Sequence, residues 1–503
     1  MRTSGILLHI SSLPSPYGIG TMGREAYRFV DFLRKSGQTY WQTLPIGITS
    51  YGDSPYQSFS SFAGNPYFID LDLLCKDGYL EKADFADLDF GKNPEQVDFG
   101  KLYDNRYKVL EKAYKSFIKE PEADFELFCE ENSAWLEDFA LFMAIKDENG
   151  GASWQDWDAP LKSRDAEALS EAKARLAERI EFYCVVEYLF FKQWFALKEY
   201  ANENGVKIIG DIPIYVSLDS ADVWASPEYF QLDKNLSPIN IAGCPPDDFA
   251  EDGQRWGNPL YNWKNMKKDG YSWWCRRVAF SSKIFDVMRI DHFRGFEAYW
   301  SIPAKDETAK GGKWVKGPGY SLFAALESEL GKLPIIAEDL GFLTDGVKNL
   351  LKKTGFPGMK VLEFAFDTES DSEYLPHNIC KNSVAYIGTH DNEPAMLWFE
   401  SISKESADFA KKYMRLTKEE GYNWGFIRTL LACPADTAII QMQDLLGLGE
   451  GARMNTPSVT SGNWSWRVKG ECINDWLAGI ILKETEIYRR LPEKKDNAEE
   501  AEK

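Results

Sequence analysis

The segment MRIDHFRGFEAYW, Met288 to Trp300, decides how the chain is read. The apolar approach to it (Ile284, Phe285, Val287, Met288, Ile290) reads as a buried strand that ends in Arg289, Asp291, His292 and Arg294. Side chains alternate faces along a strand, so Arg289 and Asp291 share one. A guanidinium beside a carboxylate favours the charged form and lowers the carboxyl pKa by roughly 1–3. That is the condition for an aspartate acting as a nucleophile or an electrostatic stabiliser where a strand gives way to a loop. The competing reading is a structural Arg–Asp pair at a strand end.

The same rhythm extends outward in both directions. Towards the N-terminus, Gly5–Ile10 reads as a short buried strand and Glu25–Lys35 as a helix with Ala26, Phe29, Val30 and Leu33 on one face and Gly37 as its C-cap. Tyr40–Leu44, closed by Pro45, completes a βαβ unit. Further strands are predicted at Lys207–Gly210 running into Asp211, Ile335–Ala337 into Glu338 and Asp339, Met359–Phe364, Val384–Ile387 into Gly388, Thr389, His390 and Asp391, and Thr437–Gln441. Helices are predicted at Ala172–Tyr200, Leu322–Leu330 and Asp345–Thr354. Eight strands, almost all separated by a helix and joined by right-handed crossovers, make an α/β protein of the (β/α)8 TIM barrel type.

The barrel is expected to comprise 1–70 and 198–490, with an aromatic, turn-rich loop insertion at 212–282. Residues 71–197 read as a mostly helical insertion, and the charged tail 491–503, which lacks an apolar face, reads as disordered. Tyr51 to Asp70 has no periodicity and reads as a long loop, a kind that is often functional.

Composition narrows the function. A formal net charge of −20 over 503 residues argues against nucleic acid or an anionic membrane as partner and favours a neutral or cationic ligand. With 44% hydrophobic and 27% charged residues, the chain can bury a substantial core. The apolar stretch near the start is too short for a signal peptide, and no run is long enough to span a membrane. Eight cysteines without a CxxC pair suggest neither a zinc site nor a disulfide framework, which makes a reducing cytoplasm the default location. Aromatic residues are abundant (Trp 17, Tyr 24, Phe 31), and several cluster with Gly, Pro, Asn and Asp, a combination suited to stacking on a hydroxyl-rich ligand such as a sugar.

In a barrel of this kind the chemistry sits at the carboxyl ends of the strands. Four predicted strands, the third, fourth, fifth and seventh, end in Asp211, Asp291, Glu338 and Asp391. Glycoside chemistry needs two carboxyl groups flanking a bond, one to attack or stabilise the anomeric carbon and one to protonate the departing oxygen. Asp291, beside Arg289, suits the first role. Glu338, crowded by other acids that raise its pKa, suits the second. Asp391 is placed to hold hydroxyls and stabilise positive charge on the ring. Of four histidines, His9, His292 and His390 fall at predicted strand ends, two of them beside an acid, which favours a functional role over a structural one. A metal site built from two histidines and a carboxylate competes with this reading, but no close-spaced motif such as HExxH is present, so neither a metal nor another cofactor is expected.

Seven motifs in order, SPYQSFSSFAGNPY, GDIPIYVSLDSADVW, GCPPDDFAEDGQRWGNPLYNW, MRIDHFRGFEAYW, IIAEDLG, GTHDN and GNWSWR, span Ser54 to Arg467. Together they resemble the signatures of the amylomaltases, the 4-α-glucanotransferases (disproportionating enzymes) of the α-amylase superfamily. The resemblance implies Asp291 as nucleophile, Glu338 as acid/base and Asp391 as transition-state stabiliser. It implies that Asp211, Arg289 and His390 hold the sugar at the cleavage point, with His292 as a further substrate contact. Asp247, Phe249 and Trp256 would belong to a lid over the acceptor side, Tyr51 would stack on glucan, and Asn455 and Asn463 would supply polar contacts. The bland alternative for the lid is an ordinary packed loop. Calcium-dependent relatives in the superfamily raise the question of a metal, but no EF-hand-like run is present. Residues Leu71 to about Glu167 resemble the family weakly.

The implied activity is transfer of a segment of an α-1,4-glucan to the 4-hydroxyl of glucose or another glucan by retaining double displacement, with carboxyl groups about 5–5.5 Å apart. Maltooligosaccharides and α-1,4-glucans are then the partners. An α-glucan hydrolase shares the first half of this reaction, and a non-catalytic glucan-binding protein would reuse the barrel alone.

Overall fold

The computed structural model describes residues 2–50, 52–246, 251–341, 343–367, 371–459 and 461–492. Eight parallel strands close a barrel: β1 Thr3–Leu7, β2 Tyr40–Gln42, β3 Lys207–Ile212, β4 Val287–Ile290, β5 Ile335–Ala337, β6 Gly358–Val361, β7 Ser383–Tyr386 and β8 Thr437–Gln441. Each pairs with its neighbour in this order, and β8 closes on β1 with Thr3 opposite Thr437 and Leu7 opposite Gln441. The strands are buried almost throughout, as expected where helices cover one face and the barrel interior the other. The expected (β/α)8 barrel is thus the observed fold.

β4, β5 and β8 have the bounds read from the sequence. β6 is shorter than the apolar run suggested, because the chain turns into a 3-10 helix at Leu362–Ala365, and burial alone does not separate the two conformations. Asp211 lies inside β3 rather than after it. Ile284 closes the helix Ser272–Ile284, the crossover from β3 to β4, and Phe285 packs over Gly210, where a Cβ would meet its ring at 2.2 Å.

Residues 212–282, expected as a loop insertion, carry regular structure. Asn240–Cys244 and Gln254–Pro259 are strands of a four-stranded antiparallel sheet completed by Ala298–Pro303 and Lys313–Lys316 from beyond β4. Its own small core contains Ile241, Ile302 and Ala309. The partners lie far apart in sequence, so no local window carries their pairing.

Within 71–197 the main helices are Phe99–Phe117, Phe125–Glu148, Ala166–Arg175 and Ala177–Glu203. The last is continuous across position 197 and joins this region to the barrel: Trp194 donates through Nε1 to the Ile284 carbonyl (3.1 Å) and packs against Phe285. Of the charged tail, 493–503 lies outside the described residues. No helix among the described residues is long and apolar enough to cross a membrane.

Arg490 seals the seam between β8 and β1 at the strand starts. Fully buried, its guanidinium donates to the carbonyls of Thr3 (2.9 Å), Leu431 (2.8 Å), Cys433 (3.0 Å) and Ala435 (3.1 Å). Removing it takes a donor from each of these carbonyls; Leu431 and Cys433 keep Arg2 Nη2 (2.6 and 2.8 Å), and an acceptor left unpaired costs on the order of 1–3 kcal/mol. Arg490→Met is expected to lower unfolding stability by about 2–4 kcal/mol in chemical denaturation, with kcat unchanged because the site lies at the other end of the strands.

Candidate active site

The barrel ladder continues one residue past β4 and β5. The Asp291 amide donates to the Ile212 carbonyl (3.0 Å), and the Glu338 amide donates to Ile290 (3.0 Å). Backbone pairing therefore fixes the heights of Asp211, Arg289, Asp291 and Glu338 around the mouth.

Arg289 is the hub. Buried inside the barrel, it places Nη1 2.6 Å from Asp211 Oδ2 and 3.1 Å from Asp291 Oδ1, so one guanidinium serves two carboxylates. Its Nε faces Met359 Sδ at 3.4 Å. The Asp211 side chain is 0% exposed and that of Asp291 27% exposed. Of the two acids paired with Arg289, then, it is Asp291 that a ligand can reach.

The expected lowering of the Asp291 pKa is reversed. Burial, together with the charges of Asp211, Glu338 and Asp391, outweighs the opposing pull of Arg289 and lifts the Asp291 carboxyl above the ordinary aspartate range. The sequence shows one Arg beside one Asp, whereas the folded site sets one Arg among several acids. Glu338 is raised as expected, chiefly by burial, although Arg289 and two backbone N–H groups act in the opposite direction. Those donors are the amides of His292 to Oε2 (2.7 Å) and Leu340 to Oε1 (2.8 Å). His292 reaches this position in the left-handed region (φ 51), a conformation that costs a non-glycine residue energy and is common at functional sites.

The opposite wall comes from the turn after β7. Asp391 Oδ1 accepts from Asn455 Nδ2 (2.6 Å), and its Oδ2 lies 3.3 Å from His390 Nε2. Burial lowers the His390 pKa, so the ring is neutral near pH 7. Gly388, which opens this turn, sits against Glu363, and a Cβ there would lie 2.6 Å from Oε1.

Tyr56 joins the two walls. Its hydroxyl donates to Asp211 Oδ2 (2.8 Å), and its ring stacks on His390 with centroids 5.2 Å apart, while Trp464 packs against both rings. Neither Tyr56 nor Trp464 was singled out from sequence. Both lie in quoted motifs, but a loop without periodicity does not reveal which ring faces the mouth.

Trp256 packs edge-on against His292, with ring centroids 4.9 Å apart. The Asn463 side chain is engaged within its own loop, accepting from the Thr456 amide (2.9 Å) and donating to the Val459 carbonyl (2.9 Å). Tyr51, Asp247 and Phe249 lie outside the described residues. His9 is buried away from solvent beside Thr43, with Nδ1 3.0 Å from the Thr43 hydroxyl, and burial lowers its pKa to about 3. Among the described residues no group of three or more His, Cys, Asp or Glu is arranged to hold a metal ion.

A cavity of about 330 Å3 opens at the other end of the barrel, lined by Val287, Ile335, Phe356, Ser383 and Thr437 near the strand starts. It does not contain the acids described above. A smaller one of about 60 Å3 lies against Tyr56, Asp211, Tyr215 and Arg277.

Arranged in this way, one reachable aspartate, a glutamic acid held by backbone amides and a third acid on the facing wall can perform two-carboxylate chemistry on a bond placed between them. Comparison with known proteins identifies the family. The family described as 4-alpha-glucanotransferase matches residues 8–473. The 4-alpha-glucanotransferase of Clostridium butyricum is 50% identical over 485 residues, covering 96% of this chain and 100% of the relative. That of Streptococcus pneumoniae serotype 4 is 51% identical over 495 residues, covering 98% of each. The amylomaltase from Streptococcus agalactiae, solved in complex with acarbose, superposes with a TM-score of 0.95 at 48% identity over 97% of this chain and 100% of that one. The chain belongs to the 4-alpha-glucanotransferase family.

Proposed function

We propose that the protein transfers a segment of an α-1,4-glucan to the 4-hydroxyl of glucose or of another glucan by retaining double displacement, with Asp291 as nucleophile, Glu338 as acid/base and Asp391 as transition-state stabiliser. The observation that carries this reading is the solvent-reachable Asp291 paired with Arg289 in a mouth that also holds a raised Glu338.

In the first half, an Asp291 oxygen bonds to the anomeric carbon as the glycosidic bond breaks, and Glu338 gives its proton to the departing 4-oxygen. In the second, the Glu338 carboxylate takes the proton of an incoming 4-hydroxyl, whose oxygen bonds to the anomeric carbon and releases Asp291. In the transition state of each half, the ring carries positive charge. Of the four acids Asp211, Asp291, Asp391 and Glu338, the Arg289 guanidinium is paired with two, Asp211 and Asp291, so a cationic ring relieves their mutual repulsion more than a neutral substrate does. The raised Asp291 pKa reflects burial first and then crowding among the acids, and the developing charge counteracts the crowding. Asp211, Arg289, His292 and His390 would hold the sugar. Trp256, with Asp247 and Phe249, would cover the acceptor side and keep water out.

Incubation with maltotriose separates transfer from hydrolysis. A ladder of longer oligosaccharides together with glucose is expected, and glucose with maltose alone would indicate a hydrolase. Asp291→Ala should keep the fold and lower kcat by at least about 10³-fold. Turnover near the wild-type rate in that variant would remove Asp291 from its role.

The pH profile tests the electrostatics. Protonated Asp291 is not a nucleophile, so the rate falls as pH drops through its pKa. That acid limb of kcat/KM should lie above about 4, the ordinary aspartate value. Arg289 holds the Asp291 pKa down, so Arg289→Met should move the limb to higher pH. Arg289→Lys, which keeps a charge without the fork that bridges two carboxylates, should move it less.

A further inference from the structure

We propose that Arg453 is a positioning residue for Asp391, aligning the carboxylate through two carbonyls on two different loops; this rests on the reading of Asp391 as the group that stabilises the transition state. Arg453 Nη2 donates to the Asp391 backbone carbonyl (2.8 Å), and Nε donates to the Asn455 carbonyl (2.8 Å). Asn455 holds the other end of the same acid, its Nδ2 donating to Asp391 Oδ1 (2.6 Å) and its backbone amide to the His390 carbonyl (3.0 Å). Asp391 is therefore gripped at its main chain by Arg453 and at its side chain by a neighbour that Arg453 also fixes.

The remaining contact of this guanidinium faces away from the acid. Nη1 lies 3.4 Å from Glu393 Oε1, and the second oxygen of Glu393 accepts from the Ser401 hydroxyl (2.8 Å). Such a fork suits arginine, because a planar guanidinium presents donors in several fixed directions whereas a lysine ammonium is a single mobile centre. None of its described contacts is to a carboxylate of the mouth. Its effect on the reaction is transmitted through where Asp391 and Asn455 sit, and a displacement of about 1 Å at such a group can cost on the order of 100-fold in rate.

The test compares Arg453→Met, Arg453→Lys and Asp391→Asn as single variants, and Arg453→Met combined with Asp391→Asn in a double variant, by kcat and KM for maltotriose disproportionation and by thermal unfolding. Arg453→Met is expected to lower kcat by about 10- to 100-fold with KM changed less than about threefold, and Arg453→Lys to recover part of the loss. On the Asp391→Asn background the same Arg453→Met change should cost less than about threefold, because the carboxylate it aligns is gone. An equal loss on both backgrounds, or Arg453→Met within about twofold of wild type while Asp391→Asn is severely impaired, would overturn the positioning role and leave Asp391 in place. Near wild-type turnover in Asp391→Asn would instead show that the reading of Asp391 is at fault, and the positioning role would fall with it.

Discussion

One guanidinium is divided among more negative charge than it can neutralise. Arg289, buried between Asp211 and Asp291, is the cation from which the mouth is organised, and the carboxyls of Asp291 and Glu338 sit above their ordinary pKa ranges because burial dominates over it. The remaining polar contacts manage that imbalance. Backbone amides hold both Glu338 oxygens, Asn455 and a neutral His390 hold Asp391, and Tyr56 donates to Asp211. An unpaired anion in a low-dielectric site is costly, so the arrangement is matched to a ligand that becomes positive as it reacts.

Precision at the mouth has two sources. On the side of Asp211, Arg289, Asp291 and Glu338 it comes from the backbone: Asp211 and Arg289 are directly paired across β3 and β4, and the ladder runs on to the amides of Asp291 and Glu338. On the side of Asp391 there is no strand at that height. The turn after β7 is held mainly by side chains, those of Arg453 and Asn455 from outside and Asn392 from within, the last accepting from the Thr389 amide and hydroxyl, with one backbone bond from the Asn455 amide to the His390 carbonyl. Tyr56 ties the rigid wall to the built one.

The barrel was legible because its strands are short apolar runs separated by helix-period segments, and β4, β5 and β8 end where an acid or a polar residue breaks the run. The candidate acids were legible for the same reason, since strand ends in such a fold converge. What resisted reading depends on partners far away in the chain. The direction of the Asp291 shift is set first by burial in the folded mouth and then by Asp211, Glu338 and Asp391, none adjacent to it in sequence. Tyr56 and Trp464 meet His390 from segments distant in sequence on either side of it. The antiparallel sheet in the 212–282 region draws half of its strands from the far side of β4.

That last feature bears on engineering. Because Asn240–Cys244 and Gln254–Pro259 precede β4 while Ala298–Pro303 and Lys313–Lys316 follow it, the sheet is not a cassette. A chimaera that exchanged only 212–282 would import two strands without their hydrogen-bonding companions, leaving the Asn240–Cys244 edge open to self-association. A workable graft has to take both flanks of Asp291 together, so the antiparallel sheet and β4 with the acid that follows it are inherited as one unit.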